Sequence, residues 1–183
     1  MKKEKCTHSA KKFVTYKTTP FETGIRNFNH IANYFLYYAP NIDCIHSPGK
    51  IEGTRSDVIF DEMIQSANMQ GKYKFLQRIY KTSFAKYNLD GDSFCLQCNR
   101  MVCAWSNSEN KLTCVLRHIR NSLAHGQLYI WRKDDESYIF LQDMKKEKKK
   151  NEVGTKITAR IVLTYNVLNS WKSILESEIA TGE

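Results

Sequence analysis

Apolar residues recur at helical spacing over most of this chain and switch to strict alternation in one region. The clearest helical stretch runs from Leu112 to Gly126, where Leu112, Val115, Leu116, Ile119 and Leu123 form one apolar face. Gly126 is its predicted stop, because glycine enters the left-handed conformation without steric cost. An earlier helix is predicted from Pro20 to about Tyr38, with Ile25, Phe28, Ala32, Phe35 and Ala39 on one face and Pro40 ending it. Asn41 to Gly53, with Pro48 and Gly49, reads as a loop. Thr54 or Ser56 caps a second predicted helix through about Met69, with Ile59, Met63 and Ala67 inward and Gly71 as its breaker. A third, Lys72 to Tyr87, holds Tyr73, Leu76, Ile79, Tyr80, Phe84 and Tyr87 in register. The last, about Tyr165 to Ile179, is expected to bury Val167, Leu168, Trp171, Ile174, Leu175 and Ile179.

Beyond Gly126 the period falls to two. Leu128–Trp131 and Tyr138–Leu141 flank a charged turn at Lys133-Asp134-Asp135-Glu136, a hairpin pattern. A lysine run, Lys145 to Lys150, reads as a solvated loop leading to a third strand near Ile157–Leu163. The expected fold is therefore mainly α: four or five helices in a bundle, with a small antiparallel β appendage before the C-terminal helix. Residues 1–19 read as a loosely ordered lead-in and residues 20–183 as a single domain, without repeats or linkers.

Charge narrows the choice of partner. A net charge of +9 on 183 residues calls for an anionic partner, nucleic acid before membrane, since no segment is long and apolar enough to span a bilayer. The polar start Met1-Lys2-Lys3-Glu4-Lys5 lacks the apolar core of a secretory signal, so a cytoplasmic setting is expected, with the cysteines reduced. Cys95-Leu96-Gln97-Cys98 supplies half of a zinc site at most. Buried thiols in a helix are the preferred reading of Cys95 and Cys98, and neither a metal nor a cofactor is expected.

The polar side of the Leu112–Gly126 helix is unusual. At about 100° per residue, Arg117, Asn121 and His125 form one stripe, with Arg120 roughly 60° to its side. A merely solvated face would favour Lys and Glu. Guanidinium, amide and imidazole groups bind phosphate and move protons instead. His118 lies near the same face and reads as an ordinary surface histidine. Arg26-Asn27-Phe28-Asn29-His30 in the first predicted helix has related composition but sits beside core positions, which favours a structural or surface role.

Arg120-Asn121-Ser122-Leu123-Ala124-His125 resembles the R-x4-6-H signature of the HEPN superfamily, with the usual polar residue after the arginine. The resemblance extends in weaker detail from about Pro20 to the C-terminus. It implies a small helical bundle and, as in many members, a metal-independent ribonuclease acting in toxin–antitoxin or antiviral defence systems. A composite site at a homodimer interface, and an antitoxin or regulatory partner, are implied with it.

Metal-free cleavage of RNA needs a base for the 2′-hydroxyl, an acid for the departing 5′-oxygen and a cation for the charged phosphorus centre. Arg120 is the candidate for the phosphate, His125 for acid or base, and Asn121 for orienting the imidazole or contacting RNA. Arg117 extends the cationic strip, and Lys145, Lys146, Lys148 and Lys149 are candidate phosphate grips. One histidine cannot do both proton jobs, which is why a two-fold dimer is expected. The alternatives are a non-catalytic RNA- or nucleotide-binding module, or a homodimeric scaffold sealed by the same helix.

Overall fold

The computed structural model describes residues 10–12, 27–149 and 152–180, with the backbone alone at residues 81, 147–149, 152 and 153. Much of the proposed N-terminal lead-in, the start of the first predicted helix with Ile25, Arg26 of the second Arg/His cluster, and the side chains of Lys148 and Lys149 therefore lie outside the described residues. In chain order the elements are β1 (Lys11–Lys12), α1 (Phe28–Asn33) running on as a π-helical turn (Tyr34–Tyr38), α2 (Gly53–Ser66), β2 (Tyr73–Leu76), α3 (Lys81–Ala85), β3 (Ser93–Phe94), β4 (Arg100–Ala104), α4 (Lys111–Ala124), β5 (Leu128–Lys133), β6 (Glu136–Lys149), β7 (Glu152–Thr164) and α5 (Tyr165–Ala180).

The expected mainly α bundle is overturned. A five-stranded mixed sheet in the order β2-β4-β7-β6-β5 forms the centre, and β1 pairs with β3 in a separate two-stranded ribbon. β2 runs parallel to β4, and the remaining pairs of the large sheet are antiparallel. Sequence periodicity hides both β2 and β4; for β2 the reason is ambiguity of register. Its Tyr73, Phe75 and Leu76 also fit a helical register, but aromatic residues suit a pleated surface, and pairing of Tyr73 with Met101 and Leu76 with Ala104 decides the matter. Of the predicted Lys72–Tyr87 helix only α3 remains. The lysine run is no loop either: β6 carries it through Lys149, with Lys145 opposite Lys156.

The hairpin follows its pattern. β5 and β6 pair from Leu128 with Leu141 to Lys133 with Glu136, and the turn residue Asp134 takes a positive φ of 54°. In α2 neither Thr54 nor Ser56 is the cap; Glu52 holds that position, and Ser56 Oγ donates to Gly53 O instead.

Strand alternation loads both faces of the sheet. Met101, Cys103, Ile139, Leu141, Ile161 and Leu163 meet α2, α4 and α5, where Phe60, Met63, Leu116 and Leu168 are buried. Val102, Phe140 and Val162 face the other way, against Phe94, Leu96 and Phe84. Trp171 of α5 is fully buried and its indole N–H donates to Met63 O at 2.7 Å, tying α5 to α2. Ile174 and Ile179 stay half-buried at the edge of this layer. Among the described residues no helix is long and apolar enough to cross a membrane.

Candidate functional site

The helix α4 is built as its sequence demands. Asn110 accepts the Thr113 N–H at 2.7 Å and so caps the first turn, satisfying one of the donors a helix start leaves open. At the other end Gly126 adopts φ +62°, and the amides of Gly126 and Gln127 turn back to Leu123 O and Ser122 O. The apolar face of α4 lies on the sheet, which fixes where its polar groups emerge.

His118 is not on the surface. It is fully buried, with Nδ1 2.6 Å from Asp143 Oδ2 and Nε2 2.8 Å from Ala104 O. Both ring nitrogens thus lie within hydrogen-bonding distance of oxygen acceptors. Asp143 is placed by an irregularity in the β6–β7 ladder: Asp143 opposes Ala159 while Met144 opposes Ile157, so Thr158 is the extra residue of a bulge. Burial pushes the Asp143 pKa up, but the hydrogen bond and charge of His118, with hydrogen bonds from Thr158 and Asn121, hold it below the ordinary carboxylate value.

A hydrogen-bonded line runs outward from this pair. Asn121 Nδ2 donates to Asp143 Oδ2 at 3.4 Å, and Arg120 Nη1 donates to Asn121 Oδ1 at 3.3 Å. Arg120 and Asn121 are half-buried, and His125, at the C-cap of α4, is exposed. Among the described residues Arg120 has no carboxylate within ion-pairing distance, and the His125 ring makes no hydrogen bond.

Arg117 behaves otherwise. Its Nε and Nη2 grip the two carboxylate oxygens of Glu109 at 3.0 and 2.7 Å, a bidentate pair that closes the loop before α4. Burial pushes the Glu109 pKa up, yet the hydrogen bond and charge of Arg117 hold it below its usual value. Arg117 is therefore a structural clamp and adds little free charge to the strip. Lys145 and Lys146 are exposed on β6, directly beyond the bulge.

Two large concavities lie away from Arg120, Asn121 and His125. One of about 850 Å³ lies between α3, the Asp90–Asp92 turn and β7, and another of about 550 Å³ lies among Tyr34, Tyr38, His46 and Lys172. Cys95 and Cys98 sit in the turn after β3, not in a helix, and among the described residues no three His, Cys, Asp or Glu side chains converge as a metal site.

Sequence reasoning missed the His118–Asp143 pair. Two signals pointed to it. His118 follows Val115 by three positions, at the border of the apolar stripe, and Asp143 lies two positions beyond the apolar strand run Ile139-Phe140-Leu141. A charge at each margin of a buried surface needs a partner, but only the fold supplies the pairing.

Comparison with known proteins matches the family model described as HEPN pEK499 p136 over residues 58–177. No curated protein and no solved structure matches the chain.

Proposed function

Because the chain belongs to the HEPN pEK499 p136 family, we propose that it is a metal-independent endoribonuclease working from a composite site on a homodimer interface. The observation that carries this reading is the outward line from Asp143 through Asn121 to Arg120, which holds a guanidinium with no carboxylate partner among the described residues, five positions before an exposed histidine. A guanidinium held in place but unneutralised is suited to a phosphate.

In the proposed reaction one His125 takes the proton of the 2′-hydroxyl, whose oxygen attacks the adjacent phosphorus. The P–O5′ bond breaks, and His125 of the second copy protonates the leaving 5′-oxygen. The products are a 2′,3′-cyclic phosphate and a free 5′-hydroxyl. Arg120 stabilises the extra negative charge at phosphorus, and Asn121 keeps Arg120 in place. Lys145 and Lys146 hold the flanking backbone, giving binding that weakens with salt. Such an enzyme fits a toxin or antiviral defence effector in the cytoplasm, restrained by an antitoxin or regulatory protein.

A second reading rests on the His125 ring, which no described residue orients, whereas Arg120 is held. It makes the same surface a phosphate clamp in a non-catalytic RNA-binding module. The test incubates labelled RNA with the chain, Arg120→Ala and His125→Ala in EDTA, and measures mass in solution. A dimer whose cleavage leaves cyclic ends and is lost in both variants is expected. RNA binding without cleavage selects the clamp, and a fully active monomer removes the composite site.

A further inference from the structure

The concavity of about 850 Å³ between α3, the Asp90–Asp92 turn and β7 has the size that holds a small organic ligand. Buried Ile79 and Phe84, with half-buried Ile157, line it with apolar surface. Tyr80, 62% exposed, adds an aromatic ring open to solvent.

The acidic wall of this cavity is clamped. Arg160, only 6% exposed, donates through Nη1 to Leu89 O at 2.6 Å and Gly91 O at 2.9 Å, and through Nε to Gln142 Oε1 at 2.9 Å. Gly91 makes the turn at φ +65°, which glycine adopts freely. Burial pushes the Arg160 pKa down, and the charges of Asp92 and Asp90 oppose that shift. Both carboxylates line the cavity, yet among the described residues neither accepts a side-chain hydrogen bond nor forms an ion pair. Cations stand on the β7 side. Lys156 lines the cavity, and the β6–β7 register sets Lys145 opposite Lys156 and Lys146 opposite Thr155, another lining residue.

A ligand matching these walls is flat, with N–H donors on one edge and a phosphate on the other, which describes a nucleotide. Guanine presents a ring N–H beside an amino group, and one carboxylate accepts both at once. Uracil instead sets its ring N–H between two carbonyls, which a carboxylate repels. We propose that this cavity binds a guanine nucleotide, with the base against the apolar lining and Tyr80, its N–H edge on Asp90 or Asp92, and its phosphate toward Lys156. The site deepens the proposed RNA reading, on which it rests, by giving it a base preference.

Binding is measured by calorimetry on the full chain with guanosine 5′-monophosphate, a 2′-O-methyl uridine hexamer, and the same hexamer carrying one guanine. The methylated strands have no 2′-hydroxyl to attack, so a failed cleavage assay leaves this measurement standing. The guanine hexamer is expected to bind about tenfold tighter than the uridine hexamer. Asp90→Asn combined with Asp92→Asn removes most of that preference. Tyr80→Ala weakens the guanine hexamer about tenfold, and Asp57→Asn, on an exposed position of α2, changes nothing. Where the double variant loses its helical circular dichroism, Asp92→Asn alone and Tyr80→Ala decide. A guanine hexamer that outbinds the monophosphate assigns the site to an RNA strand, and the reverse order assigns it to a free nucleotide. Equal binding of the two hexamers, no binding of any probe, or a preference that survives in the folded Asn variant overturns the proposal.

Discussion

His118 Nδ1 lies 2.6 Å from Asp143 Oδ2, and this buried pair is the floor on which Asn121 and Arg120 rest. One residue comes from the middle of α4 and the other from β6, opposite the bulge in β7, so the pair also bolts the motif helix to the sheet. Removing one partner strands the other in a dry interior. Asp143→Ala is expected to cost about 3–5 kcal/mol, read as a lower urea midpoint at neutral pH. A loss below about 1 kcal/mol would show that the pair does not carry the helix.

The same pair sets the acid response. Asp143 and Glu109 both titrate below their ordinary values in the folded chain, despite burial that alone would raise them. Their stabilisation is fully present above the unfolded carboxylate value, about 4, and is lost as pH falls through the lower folded value. In that window the unfolded chain binds more protons, so stability falls as the solution is acidified. Unfolding midpoints between about pH 6 and pH 2 are expected to fall less steeply in Asp143→Asn than in the parent chain. Identical slopes would assign the acid sensitivity elsewhere.

Asn121 is a positioning residue. Asn121→Ala removes the acceptor that holds Arg120 and one donor to Asp143. RNA cleavage is expected to drop about 10–100-fold through misplacement of Arg120. Stability changes by only about 1 kcal/mol. Asn121→Gln keeps a neutral amide acceptor for Arg120, and recovery of part of the rate in that variant supports the positioning role.

Gly126 ends α4 at φ +62°, where a Cβ crowds the following carbonyl. Gly126→Ala is expected to lower stability by about 1–2 kcal/mol. It also shifts the exit of the chain beside His125. The check is a thermal or urea midpoint together with the cleavage rate.

The lysines of β6 answer to salt. If Lys145 and Lys146 each contact a phosphate, changing both to Gln reduces the slope of log binding constant against log salt by roughly 1.4 for a single-stranded RNA, at about 0.7 per contact. An unchanged slope would leave them as charges on the extended β6–β7 ladder.

The sequence by itself determined the local elements whose signals agree at every level. In α4 the apolar stripe, the Asn110 cap and the Gly126 stop coincide, so the helix forms where its pattern says. The β5–β6 hairpin is equally legible, because alternation and a charged turn need only neighbours in the chain. The Arg120-to-His125 signature was readable on the same grounds, and the family match over residues 58–177 agrees with it. Only the tertiary structure decided the sheet. β2 becomes a strand because β4, far along the chain, offers it a parallel edge, and no local pattern encodes a partner at that distance. The bulge at Asp143 and the burial of His118 are decided the same way. A histidine and an aspartate at the margins of two apolar surfaces acquire their meaning only once helix and sheet close over them and exclude water.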